Sequence, residues 1–277
     1  MDRKKVNEYL LEIDWKWAAL QYGITTLIQA FFALISIFST KSALSNLPID
    51  KNLTTKLNDI LKPNKKFTVY IFKDKSPNAF CMFSPDIYIT SACQKMCSEK
   101  ELLAICLHEA GHINDYHSWY RVFAMIGIGS LFHTILRVFI HEKTSTDREA
   151  QLALDYNPYV WMFELALTMQ VTSVIIARAQ GRGQEYYADS FATKYGYGDY
   201  LITGLRRVIE WSRKREGQKC TNKICKALIW LSEAMDEHPS LEDRVAKILE
   251  DKKKLKELGQ LPVAKRIEFI KTSLGLE

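Results

Sequence analysis

Two histidines four residues apart in an apolar run set the first constraint on this chain: Leu107-His108-Glu109-Ala110-Gly111-His112-Ile113. On an α-helix that spacing stacks both imidazoles on one face, one turn apart, where two neutral nitrogens can grip one Zn²⁺. Glu109 lies about 100° of helix rotation beyond His108. It can therefore stand beside a metal without ligating it, which is where a general base belongs. A helix start is written independently upstream. Ser98-Glu-Lys-Glu101 is a capping box, in which Ser98 accepts from the amide of residue 101 and Glu101 reaches back. Leu102, Leu103, Ile105, Cys106 and Ile113 carry the helical pattern through both histidines.

A catalytic zinc has three protein ligands and one water, so a third donor is required. An extended H-E-x-x-H-x-x-G-x-x-H site needs glycine at 115 and histidine at 118; the chain has Asp115 and Ser118, with His117 one residue off register. A glutamate about twenty residues past the second histidine is also missing, because position 132 is phenylalanine. The remaining acids are Glu142, Glu149, Glu164 and Glu185. Glu185 is preferred, since Asp189 is one turn further on the same face and can hydrogen-bond the free nitrogen of a ligand histidine. The other reading of that pair is two exposed acids on an amphipathic helix.

Three apolar stretches surround this chemistry. Ala18 to Phe38 contains no charged residue, follows Trp15 and Trp17, and is long enough to cross a hydrocarbon core of about 30 Å. Trp119 to Ile140 and Tyr159 to Ala177 read as a helical hairpin. Their Arg121, His133, Arg137 and Glu164 must face protein or snorkel if the hairpin enters a bilayer. The alternative is a pair of buried core helices in a soluble protein. Between the first stretch and the motif, 42–62 reads as an amphipathic helix broken by Pro48. After it, 67–72, 78–83 and 87–90 read as short strands. Downstream of the hairpin come helices at 184–192, ending at the Gly196 and Gly198 turn, at 205–215 and at 224–237, then a lysine-rich tail. The expected class is mainly α (α+β), with a membrane-associated helix in 1–45. A metal-binding domain follows in 46–277, interrupted by the hairpin at 119–178.

The formal charge of +6, from 38 basic and 32 acidic residues scattered along the chain, argues against a nucleic-acid partner and suits an anionic membrane surface. Six cysteines without paired C-x-x-C knuckles read as free thiols; Cys93 and Cys97 share a helix face, and Cys220 and Cys225 lie far downstream.

The motifs together resemble the HtpX-like and CAAX-prenyl-endopeptidase-like zinc peptidases, metallopeptidase family forty-eight. The resemblance rests on His108-Glu-Ala-Gly-His112, Glu185-Tyr-Tyr-Ala-Asp189, His238-Pro followed by Arg244, and Asn78-Ala-Phe80 on a strand before the motif helix, in that family's order over about residues 66–250. It implies a zincin-like domain whose small sheet lies beside the motif helix. One Zn²⁺ per chain is expected on His108, His112 and Glu185, with Glu109 as base and Asp189 orienting a ligand. His238 and Arg244 are expected at the cleft. The hairpin resembles the membrane hairpin of HtpX-like members, although only one apolar segment precedes the domain where those members have two.

The expected activity is zinc-dependent endoproteolysis at a membrane, on a protein or peptide that adds as a strand near Asn78, Ala79 and Phe80. Arg121, Arg178 and Arg182 against Lys143 and Arg148 place the active site on the cytoplasmic side. The competing class is a non-catalytic membrane interaction protein held together by zinc.

Overall fold

The structure, a computed structural model, describes residues 15–62, 66–144, 157–219 and 239–260. These fall into two compact units, one within Met1–Asn46 and Ser118–Gln180, the other within Leu47–His117 and Gly181–Glu277.

The first unit contains α1 (Trp15–Leu44), α5 (His117–Thr144) and the first part of α6 (Pro158–Lys194). Each offers a stretch long and apolar enough to cross a membrane: Trp15–Leu44, His117–Ile140 and Pro158–Ile176. Their outward faces carry large apolar side chains, with Leu27 72% exposed, Phe38 69% and Phe163 70%. The polar residues turn inward. Thr25, Gln29, Ser130, His133, Arg137, Glu164 and Thr172 are all buried. Arg137 donates from Nη1 to Glu164 Oε2 at 3.1 Å, and Thr25 Oγ1 lies 3.1 Å from His133 Nδ1. Gly129 leaves room for the Gln29 amide: a Cβ there would stand 3.1 Å from Gln29 Oε1. This is the arrangement that lipid selects, because a charge facing hydrocarbon costs several kcal/mol and one facing a partner does not. It is not a hairpin buried in a soluble core.

In the second unit α2 (Lys51–Leu61) begins at Asp50, whose side chain accepts from the amide of Leu53, and ends on Lys62 in the left-handed region. The expected 42–62 helix is corrected at its start: 42–44 are the end of α1, the chain is non-helical from 45 to 50 around Pro48, and Asp50 supplies the new helix start. Strands β1 (Thr68–Phe72), β2 (Ala79–Cys81) and β3 (Asp86–Thr90) form a sheet in the order β1-β3-β2, with β1 parallel and β2 antiparallel to β3. Alternation gives the sheet two faces. Val69, Ile87 and Ile89 enter the core with Leu53, Leu57 and Leu107. On the opposite face the rings of Tyr70, Tyr88 and Phe80 stack at 5.3 and 5.0 Å.

The short helix α3 (Ser91–Met96), capped by Thr90, leads to α4 (Glu99–Asn114), where the capping box at Ser98 is formed. Cys93, Cys97 and Cys106 are buried in the same core. The unit is completed by the end of α6, by α7 (Gly198–Lys219) and by α8 (Leu241–Gln260). Helix α6 runs unbroken through 177–184, where the sequence suggested two separate helices. Gly181 and Gly183 weaken a helix interior by about 1 kcal/mol each, and the flanking turns carry it across. The turn after α6 uses Gly196 at φ 85°, a conformation L side chains resist. The chain is mainly α, with a small sheet beside the motif helix and three apolar helices.

Candidate metal centre

Helix α4 is buried from Glu101 to Gly111, so His108 faces protein, while His112, one turn on, is part-buried. Its close partner is the end of α6. A Cβ on Gly111 would lie 2.9 Å from Ala188 Cα and 3.0 Å from Phe191 Cβ, so only glycine permits this approach. The contact brings Glu185 and Asp189, one turn apart on α6, against His108 and His112.

Three residues converge, with each Glu185 oxygen facing a different imidazole. His108 Nε2 and His112 Nε2 are 3.2 Å apart; Glu185 Oε2 is 3.5 Å from the first and Oε1 is 3.4 Å from the second. Zinc–nitrogen and zinc–oxygen bonds near 2.05 Å in a tetrahedron require ligand atoms about 3.3 Å apart. The spacing therefore matches a zinc ion, and two imidazoles with a carboxylate match its preferred donors. His108, His112 and Glu185 are the group among the described residues that could hold a metal.

Each imidazole is oriented from behind. His108 Nδ1 is 2.9 Å from Asp189 Oδ1 and 3.4 Å from Arg244 Nη2. A guanidinium cannot accept, so the Nδ1 proton goes to Asp189 and the Nε2 lone pair faces the other donors. Arg244 clamps Asp189 through Nε–Oδ2 at 2.8 Å and Nη2–Oδ1 at 2.6 Å, and its Nη1 is 3.2 Å from Glu185 Oε2. Burial alone would raise the Asp189 pKa. The hydrogen bonds from His108 and Arg244 outweigh it and hold the carboxyl below its ordinary value.

His112 Nδ1 is 2.8 Å from His117 Nδ1, and His117 Nε2 is 2.7 Å from Asp115 Oδ2. Sequence reasoning missed this pair because it tested His117 only as a ligand. The signal was available in principle, since a residue five past the second histidine lies just beyond the helix end, where Asp115 caps α4 and Tyr116 takes φ 55°.

Glu109 is buried on the side of α4 that meets β2, and it faces the Cys81 thiol. Burial first, then the Glu109 carboxylate, push that thiol well above its ordinary pKa, so it stays protonated and can donate to Glu109. Ala79 and Phe80 lie on β2, which pairs with β3 alone among the described strands; Asn78 precedes it and exchanges hydrogen bonds with Thr90. Glu164 pairs with Arg137 in the other unit. Glu142 is on the last turn of α5, while Glu149, His238, Cys220 and Cys225 lie outside the described residues.

The profile of peptidase family M48 matches residues 49–252, more than half of the chain. A protein named protease HtpX homolog from Campylobacter concisus is 25% identical over 234 residues, covering 76% of this chain and 80% of its own. One of the same name from Listeria monocytogenes is 24% identical over 263 residues, covering 81% and 84%. The crystal structure of S. mikatae Ste24p superposes with a TM-score of 0.50 at 17% identity, covering 84% of this chain; this chain spans 57% of the Ste24p length.

Proposed function

Given that the chain belongs to peptidase family M48, we propose that it is a membrane zinc endopeptidase in which His108, His112 and Glu185 hold one Zn²⁺. The family is zinc-dependent. The observation that carries the reading is the convergence of two imidazole Nε2 atoms 3.2 Å apart with the two Glu185 oxygens, each within 3.4–3.5 Å of one of them, a donor set of the type zinc prefers.

When bound, the ion supplies Lewis acidity that makes water nucleophilic near neutral pH and polarises the scissile carbonyl. The chain supplies the proton chemistry. Glu109, one residue from a ligand and buried, takes the proton from the attacking water and delivers it to the leaving amine nitrogen. Asp189 fixes the His108 tautomer, and Arg244 balances the two buried carboxylates, Asp189 and Glu185, that would otherwise repel each other. His238, assigned through the family resemblance, stabilises the oxyanion. The peptide substrate adds as a strand along the edge of β2 that no described strand pairs with, at Asn78, Ala79 and Phe80, held by main-chain hydrogen bonds with little sequence preference.

The catalytic domain is the unit within Leu47–His117 and Gly181–Glu277, and the three apolar helices anchor it in lipid. The active site faces the cytoplasm, as the arginines at 121, 178 and 182 favour. Glu109→Gln removes the base and no ligand. It is expected to keep stoichiometric zinc by elemental analysis while cleavage of an unfolded protein falls by at least about 10²–10⁴-fold. Undiminished cleavage by that variant overturns the assignment, as does a wild-type protein that takes up no zinc.

A further inference from the structure

The two ligand histidines are oriented by different devices, and the second is the less expected. His108 uses a buried carboxylate, Asp189. His112 uses another imidazole, His117, which in turn contacts Asp115, whose side chain is 49% exposed. We infer that His117 is a positioning residue for the metal centre, linking His112 to Asp115 and so setting from the protein surface which nitrogen of His112 meets the metal. The inference rests on the zinc reading above.

The proton count runs in one direction. The Asp115 carboxylate is half-exposed and offers His117 an acceptor oxygen. His117 must then carry its proton on Nε2 and donate at 2.7 Å, which leaves Nδ1 as a lone pair. That lone pair, 2.8 Å from His112 Nδ1, accepts a hydrogen bond from the His112 Nδ1–H. His112 is thereby left with its lone pair on Nε2, the atom that faces His108 Nε2 and Glu185 Oε1. Each link fixes the next, and reversing any one would put a proton on the nitrogen the metal needs. The backbone serves the same end. Tyr116 adopts φ 55°, a left-handed conformation uncommon for a bulky residue, and so turns the chain back to place His117 over His112. The ring of Tyr187 packs edge-on to His117 at 5.5 Å, and Asn114 Nδ2 donates to the Tyr187 hydroxyl at 3.0 Å.

Packing and hydrogen bonding separate experimentally. His117→Phe keeps an aromatic ring between His112 and Tyr187 and removes the acceptor. His117→Asn returns an acceptor near the same place without the ring. Zinc affinity is measured by chelator competition on the detergent-solubilised full chain. His117→Phe is expected to bind about 10–100-fold more weakly, with His117→Asn recovering at least part of the loss. The absorption bands of the Co²⁺-substituted protein are expected to shift in His117→Phe and to return toward wild type in His117→Asn. Wild-type affinity in His117→Phe overturns the inference. So does equal weakening in the Phe and Asn variants, because the contact would then be one of ring packing. If the Phe variant fails to fold without metal, Asp115→Asn at the exposed end replaces it; a fall of a few-fold in affinity is expected, and an unchanged affinity counts against the linkage. Zinc lost in His108→Ala and Glu185→Ala but unchanged in His117→Phe would spare the zinc reading and sink only this inference. A wild-type chain without zinc would sink both.

Discussion

The two units bury opposite things. In the unit that carries the candidate metal centre, leucine, isoleucine and valine fill the interior, and the buried charge among the described residues lies at that centre and at the Glu101 cap. In the apolar-helix unit phenylalanines and leucines point outward, while threonines, a glutamine, a histidine and an Arg137–Glu164 pair point in. The same chain obeys one rule in both places: side chains follow the solvent, and the solvent differs. Buried charge also means different things. Arg244 pairs with Asp189 and Glu185 beside the candidate metal site, whereas Arg137 and Glu164 pair with each other on the inward side of the apolar helices.

The comparison breaks most sharply if both arginines are replaced by methionine. Arg244→Met strands two carboxylates in a protein interior, and a loss of about 3–5 kcal/mol in thermal stability is expected in detergent. Arg137→Met strands only Glu164, with an expected cost of about 3 kcal/mol, and adding Glu164→Met is expected to recover most of it. A double variant no more stable than the single would mean the pair is not surrounded by apolar material. A smaller contrast uses glycines. Gly111→Ala meets the Ala188 backbone at 2.9 Å, which cannot yield, so about 1–3 kcal/mol and a weaker hold on zinc are expected. Gly129→Ala meets only the Gln29 side chain at 3.1 Å, which can turn aside, and a cost below about 1 kcal/mol is expected in the same thermal assay. The smallest effect concerns Glu101. Burial raises its pKa, but hydrogen bonds from Ser98 and Arg207 outweigh that and lower it. Its stabilisation is therefore present above the unfolded carboxyl value and lost as pH falls through the lower folded value. Glu101→Gln is expected to cost about 1 kcal/mol at neutral pH and to flatten the acid limb of an unfolding titration. An unchanged acid limb would remove Glu101 from the account.

Much of this was legible because it is local. The spacing of His108 and His112, the box at Ser98 and Glu101, and the alternation that makes β1 and β3 are set within a few residues, and the structure contains them. Glu185 was readable at one remove, through its register with Asp189. What escaped depends on contacts distant in sequence or on backbone that leaves regular structure. The clamp of Arg244 on Asp189 joins helices far apart in the chain, and no periodicity encodes it. His117 lies past a helix end, where helical spacing no longer predicts direction and a left-handed Tyr116 decides. The continuity of α6 was hidden by Gly181 and Gly183, whose weak breaking tendency is overruled by the turns on either side.

The donor set is also divided in time. His108 and His112 are synthesised before the apolar hairpin, and Glu185 after it. A ribosome that has translated the motif helix has made two donors and a base, but no third donor. The candidate metal site is thus incomplete until the chain has been made through Glu185, beyond both hairpin helices. The order of the elements therefore makes the site the last thing the hairpin's synthesis brings together.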